Sequence, residues 1–579
     1  MTKAIARKFL SALDAQEQLV RNSIAAEPTG VMFLTAFKVF DLSWLGKLEL
    51  NGSGTDRHLL RMGLPRLIQF FYETGTRTNH EGLTFAPNDA MVWAAVGLLH
   101  NLGSIETGRQ FAHLALEGDC QIESDESGTF HLSVPENFTW PDANETSLSE
   151  RQKDAIRNEI SLLLEGNREF RKAKAEMPAL LDRNVWVFRD YYIGYDAHPT
   201  LDAMHFAYAT IRLHSSDELK AIPQDAVFGG VPFQNYVFGL AFTISVATKH
   251  IAFCEALAKK RPDIRTIDIL TITAESQEFR EAMLTAINEY GEPVPDFRPV
   301  TYSDVDAVLR VLSCDWERVG ALGYTMAAIP PLVAFSRRAW IKSSVIPQLD
   351  PIPALLTSLR MLHPKDWDRA QQGRERYMQD RLMEMFALLD SSIYLGRNIV
   401  LRYGSKHLTD LDLVAYDEAD GTLALFQLKY QDHYRGDMKS RSNKVGRLIT
   451  QVEKWAEAVS SWLTRSDVRV LRATLGVPIR LEPARTVLVI VTEHFAHHLS
   501  DADLGKAIYG TWAQAIDAFA RDRRTGQGSL RGFCEKLQEV SNIENVKREK
   551  VVSGTREYKL ESVKFTLTER QGFDGKRSL

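Results

Sequence analysis

The chain has 579 residues, with 70 Lys and Arg against 75 Asp and Glu, and is 44% apolar and 25% charged. This is ordinary globular composition, and at about 100–200 residues per domain it predicts several domains. The net charge of −5 excludes a uniformly basic nucleic-acid coat and an acidic disordered tail, yet the balance is uneven. Residues 351–579 hold 36 Lys and Arg and 30 Asp and Glu, or +6, which leaves −11 for residues 1–350. Cys120, Cys254, Cys314 and Cys534 lie far apart, so neither a disulfide framework nor a zinc-knuckle spacing is present. Scattered thiols suit a reducing compartment, and the expected location is cytoplasmic. The first apolar run, residues 9–13, is too short for a secretory signal. Residues 226–248 carry no charge, but their strongly apolar part, 236–247, is shorter than a bilayer requires. A buried helix is expected there, and no membrane partner.

Residues 1–115 read as helices, with 59–74 and 88–102 as candidates and a loop at 51–55. Residues 117–140 read as a short hairpin turning at Asp125-Glu126-Ser127-Gly128. Ser149 and Gln152 have capping-box spacing and predict the start of a helix through 164. From 186 to 345 the pattern is helix-dominated, with helices at 201–213, 236–259, 276–289 and 303–312 and a short strand at 267–272. No phosphate-binding loop, dinucleotide fingerprint or nucleophile elbow occurs, and the histidines of this half stand isolated. Pro347, Pro351 and Pro353 place the main boundary near 350. The fold class expected is a multidomain α+β chain. Residues 1–185 form a helical region with a hairpin near 117–140, and 186–350 a helix-rich domain. An α/β domain follows at 351–525, and 526–579 is an extension with a β hairpin.

The C-terminal third carries the chemistry. A helix at 367–389 is followed by β-rich runs at 398–403, 411–416 and 423–430, the last two joined by a turn at 417–421 that ends in Asp420-Gly421. A basic polar loop, a helix at 445–463, an aliphatic buried strand at 486–492 and a helix at 504–521 complete the order. Asp412 interrupts the second strand, and Gln427 and Lys429 stand two apart on the third, hence on one face. Pairing through the turn brings Asp412 near both. Carboxylate and carbonyl oxygens suit Mg²⁺ or Mn²⁺, and a lysine beside them can hold an attacking water or stabilise developing charge.

Asp410-Leu-Asp412-Leu-Val-Ala followed by Phe426-Gln-Leu-Lys429, in this element order, resembles the core of the PD-(D/E)XK phosphodiesterase superfamily, the restriction-endonuclease-like fold. The resemblance covers roughly residues 365–525, a minority of the chain. It implies that Asp412 binds the metal ion, that Gln427 stands at the (D/E) position and Lys429 at the K position, and that the Leu428 carbonyl completes the shell. Glu384 matches the acidic residue that some subfamilies place on the preceding helix, and Glu375 competes for that role. Gln451, with Trp455 four residues on, resembles the helical Gln-x-x-x-aromatic motif of RecB-like nucleases. Gln427 departs from the acidic pattern. Mrr-type restriction nucleases carry the same Gln-x-Lys form, while a neutral amide lowers metal affinity.

The resemblance implies a Mg²⁺- or Mn²⁺-dependent endonuclease acting on nucleic acid, DNA being the expected substrate, with a homodimer as the expected assembly. By analogy with large helical halves joined to such nucleases, it implies a bacterial restriction or anti-phage defence effector, with a regulatory partner for the N-terminal half. Arg435, Lys439, Arg441, Lys444 and Arg447 flank the motif and suit a phosphate backbone, although each alone also reads as a solvated basic residue. His494, His497 and His498 follow the aliphatic strand and read as a loop cluster. The rival reading is a catalytically inactive nucleic-acid-binding or scaffold protein on the same fold. A third is a helical interaction protein without nucleic-acid affinity.

Overall fold

The computed structural model describes residues 2–571 except 26–29, 49–53, 75–82, 84, 119, 135–141, 224, 296, 319–328, 390–392, 432–437, 479–482, 495, 497–498, 500–501, 526–527 and 547–551. The first core is built by helices Thr2–Ala25, Val31–Trp44, Gly54–Thr74 and Asp89–Glu117. The last two meet backbone to backbone. A Cβ on Gly63 would lie 2.2 Å from the Leu99 carbonyl oxygen, and one on Gly103 2.0 Å from that of Leu59. Glycine is the only residue that permits this approach.

The predicted first hairpin forms as Gln121–Ser124 and Phe130–Ser133, turned by the Gly128 N–H donating to the Asp125 carbonyl. Its second strand pairs in parallel with Lys564–Gln571 of the C-terminal hairpin, Phe565 opposite Phe130. Phe9 lies 4.7 Å from the Phe130 ring and 5.2 Å from Phe565. The two ends of the chain thus close one core.

Packing does not divide the chain at 185. Phe253, Leu257, Ile267 and Ile341 belong to the first core, whereas a second gathers residues from Phe206 to Leu312 with Leu355, Leu359, Trp367 and Ala370. Helix Phe233–Lys260 runs through both. It is long and apolar enough to cross a membrane, but 72% of its most apolar window is buried inside the protein, as expected of a core helix. The strand expected at 267–272 is instead a helical turn, Thr266–Ile269, with strand Ile272–Glu275 after it. The buried Lys38 ammonium explains the difference: it draws in the carbonyls of Ile267, Asp268 and Thr271, which a strand would turn to opposite edges. Ser149 does not cap a helix, because the helix there spans Asp142–Gly166. The Gln152 amide instead donates to the Ala513 carbonyl at 2.8 Å.

The third domain opens with helix α1 (Pro364–Ala387). Its first turns pack in the second core through Trp367 and Ala370, and Met378, Leu382 and Phe386 pack in a third. The packing boundary therefore falls inside α1, later than 350. The sheet consists of β1 (Ile393–Tyr403), β2 (Lys406–Asp417), β3 (Thr422–Lys429), β4 (Arg485–Thr492) and β5 (Ile508–Thr511), in that order. β1, β2 and β3 run antiparallel, and β3, β4 and β5 run parallel. The expected turn closes β2 to β3, with the Gly421 N–H donating to the Asp417 carbonyl at 3.0 Å. Helices α2 (Met438–Arg465) and α3 (Val468–Leu475) cover one face. Helices α1, α4 (Trp512–Thr525) and α5 (Leu530–Val546) cover the other.

β5 stands where the sequence predicts the start of a helix at 504. Parallel pairing of Ile508 with Val489 recruits this short segment into the sheet, a tertiary effect that local pattern does not carry. The extension after 525 divides between α5 on the third domain and the hairpin in the first core.

Phe565 is 1% exposed. Phe565→Ala is expected to destabilise the first core by about 3–5 kcal/mol, seen as an earlier first transition in urea. An unchanged transition would contradict the shared core of the two chain ends.

Candidate functional site

The site begins with a parting of strands. β2 and β3 pair from Asp417↔Thr422 to Leu413↔Phe426 and no further, while β2 continues beside β1 to Lys406↔Tyr403. The Leu428 N–H, released from the ladder, needs an acceptor. The Asp412 carboxylate supplies it at 2.6 Å and also accepts from the Gln427 amide nitrogen. The Lys429 carbonyl accepts from the Glu493 N–H of the β4 side at 2.9 Å. Since backbone groups alternate edges along a strand, the Leu428 carbonyl faces the Asp412 side.

On β1, Asn398 stands opposite Asp412 between the pairs Arg397↔Leu413 and Ile399↔Leu411, at φ 51. This left-handed residue turns the ribbon. Leu395 and Ala415 face the core under α1, while Ile399 and Leu411 face the core under α2. Asparagine adopts this conformation more readily than most residues, and the pairs on either side of it stay in register.

Gln427 is 7% exposed. Lys429 ends β3, and its ammonium lies 3.6 Å from the Glu375 carboxylate of α1. Burial pushes Asp412 up to about 6, and the Glu375 carboxylate adds to the rise. The Leu428 N–H, the Lys429 ammonium and the Gln427 amide oppose it. Next to Glu375, Arg374 is buried between the rings of Trp367 and Tyr430, at 4.3 and 4.8 Å to their centroids. That stacking ties α1 to the end of β3.

The structure thus brings Asp412, Gln427, Leu428 and Lys429 together, with Glu375 as the helical acid. Glu384 is elsewhere. It lies nine residues, or two and a half turns, further along α1, hence on the opposite face, where it pairs with Arg381 at 2.7 Å. Asp410 is exposed beside His407. Trp455 is buried and its indole donates to the Asp410 carbonyl at 3.0 Å, whereas Gln451, one turn earlier, is exposed. Lys444 is half-buried and Arg447 exposed. Arg435 and the side chains of Lys439 and Arg441 lie outside the described residues, as do His497 and His498.

Among the described residues no group of three His, Cys, Asp or Glu side chains forms a metal cluster. The oxygen donors here are one carboxylate, one amide and one main-chain carbonyl, with Glu375 beside Lys429.

Two residues that bond around Asp412, and one acid of a separate cavity, escape the sequence reading. Gln379, 2% exposed on α1, donates to the Asp412 carbonyl and to Asn398 Oδ1 at 3.2 Å. A polar residue flanked on its helix face by apolar Met378 and Leu382 was the available signal for it. Asn398 had none. The third, Glu493, is half-buried just after β4 and lines a cavity of about 290 Å³ with Lys153, Asp217, Glu218, Arg381 and His494. Burial, and then the Asp217 and Glu218 carboxylates, push it up to about 8, against Lys153 and Arg374.

No family model, no curated protein and no solved structure matches the chain. The site's own geometry therefore carries the functional argument.

The raised Asp412 carboxyl makes a stability prediction. An acid whose folded pKa stands near 6, above its ordinary 3.8, costs folding stability as pH rises from about 4 through 6. Asp412→Asn keeps an oxygen for the Leu428 N–H and removes the charge. It is expected to raise the melting temperature by a few degrees at pH 8 and to lose that advantage at pH 4. An equal shift at both pH values would contradict the assignment.

Proposed function

We propose that the third domain is a metal-dependent phosphodiesterase of the restriction-endonuclease-like fold, cleaving nucleic acid, and DNA in particular. The observation that carries this reading is the meeting of Asp412, Gln427 and Lys429 where β2 parts from β3, with Glu375 3.6 Å from the lysine. The strand order agrees with it, one antiparallel trio continued by two parallel strands, with helices on both faces.

The donor set fits a hard divalent cation such as Mg²⁺ or Mn²⁺. Asp412, the Leu428 carbonyl and Gln427 would hold it, the amide turning its oxygen to the ion in place of the nitrogen it now offers Asp412. Such an ion, when bound, polarises a phosphate and lowers the pKa of a bound water. Lys429 orients the attacking water and stabilises charge that develops on the phosphate oxygens, and Glu375 holds the ammonium in place. Ionised Asp412 is the binding form, so the ion displaces a proton on binding and its apparent affinity falls as pH is lowered. The basic residues after β3, Arg435 to Arg447, would meet the phosphate backbone. A homodimer would allow both strands of a duplex to be cut. The N-terminal half, packed onto α1, would then serve as a sensor or regulator in a restriction or anti-phage defence effector.

A second reading is favoured by one residue. Gln427 removes a negative charge from the site, so the same fold could serve for binding alone. The test is a nicking assay on supercoiled plasmid with Mg²⁺ or Mn²⁺. Wild-type protein is expected to relax the plasmid, EDTA to stop it, and Asp412→Ala or Lys429→Ala to slow it at least about 100-fold. Cleavage undiminished in Lys429→Ala would sink the mechanism. No cleavage and no metal binding would favour the binding-only reading.

A further inference from the structure

We infer that Gln379 is a positioning residue for this site, setting helical Glu375 in register with Asp412 and Lys429. The inference rests on the proposed metal site and adds a residue to it. Glu375 and Gln379 stand four apart on α1 and so lie one above the other on the same face. Gln379 is buried, and its amide nitrogen bonds both to the Asp412 carbonyl and to the Asn398 side-chain oxygen. Both partners sit at the irregular point of the sheet, where β2 leaves β3 and β1 takes up its left-handed residue. The Asp412 carbonyl is thus met by a helix side chain at the residue where the β2–β3 ladder ends.

The consequence is geometric. α1 begins in a different core, held by Trp367 and Ala370, and enters the third core at Met378, beside Gln379. The ring stack on Arg374 grips α1 at the end of β3. Gln379 grips it one turn later at β2. Between the two grips lies Glu375. With Gln379 in place, Glu375 is held over Lys429, and the carbonyl side of Asp412 is held while its carboxylate faces Leu428. Without it, the polar tie between α1 and the point where β2 leaves β3 is lost.

The test is Mn²⁺ binding by calorimetry on the full chain, in wild type, Gln379→Met, Glu375→Gln, the double variant and Asp412→Ala. Gln379→Met fills the same volume without the donor. It is expected to weaken Mn²⁺ binding about tenfold, as outer partners of metal ligands do, and to raise the Mn²⁺ concentration for half-maximal nicking with little change in the maximal rate. In the Glu375→Gln background the same change is expected to weaken Mn²⁺ binding by clearly less than it does in wild type, because only its direct hold on Asp412 then remains. Unchanged Mn²⁺ affinity in folded Gln379→Met, or full additivity in the double variant, would overturn the inference. Where Gln379→Met does not fold, Gln379→Asn keeps an amide of shorter reach and carries the same expectation. Failure of both to fold would overturn it too, by making the amide part of the fold itself. If wild type binds no Mn²⁺, or Asp412→Ala binds it equally well, the metal-site reading and the inference fall together. Loss of binding in Asp412→Ala with none in Gln379→Met fells the inference alone.

Discussion

The structure of the third domain depends on one divergence. β2 pairs with β3 for five residues and then leaves it, and at the residue where it leaves stands Asp412. A released main-chain N–H in a half-buried place must find an acceptor, and the carboxylate is that acceptor. Burial at that place raises the proton affinity of Asp412 against the pull of the Leu428 N–H, while the Gln427 amide approaches the same carboxylate and the Leu428 carbonyl turns to the same opening. A carboxylate kept half-buried beside a second carboxylate, Glu375, costs stability, and such costs concentrate where chemistry is done.

The second constraint is the sharing of α1 between two cores. A 24-residue helix is a stiff rod, and this one has its first turns among the helices of the preceding region and its last turns under the sheet. The helix acid of the site lies between. Any rearrangement of the N-terminal half that moves Trp367 or Ala370 must be absorbed by α1 or transmitted to Glu375. The return of the C-terminal hairpin to the first core adds a second tie, because α5 leaves the third domain and the hairpin after it pairs beside Phe130. The regions are therefore joined at several points, not strung on linkers.

Much of the third domain was legible because its signals are local. The alternation and turn of residues 411–430, the aliphatic run of β4 and the face of α1 each follow from short-range pattern. Asp412, Gln427 and Lys429 were legible because a hairpin fixes which residues oppose. What failed to show depends on distant partners. β5 exists through pairing with β4, the turn at 266–269 through Lys38, and the association of residues 2–25 with 564–571 through contacts across almost the whole sequence. The choice between Glu375 and Glu384 turned on which part of α1 lies over the strand ends, which the stacking of Arg374 on Tyr430 and the bond from Gln379 to Asp412 make visible only in three dimensions.

The central claim is that the opening between Asp412 and Leu428 holds a divalent cation. Diffraction from crystals grown with Mn²⁺, collected near the manganese edge, tests it most directly. The account predicts an anomalous peak at coordination distance from the Asp412 carboxylate and the Leu428 carbonyl, with the Gln427 amide turned oxygen-first. A fully occupied Mn²⁺ bound elsewhere on the chain, with Asp412 still bonded to the Leu428 N–H and no density between them, would contradict it.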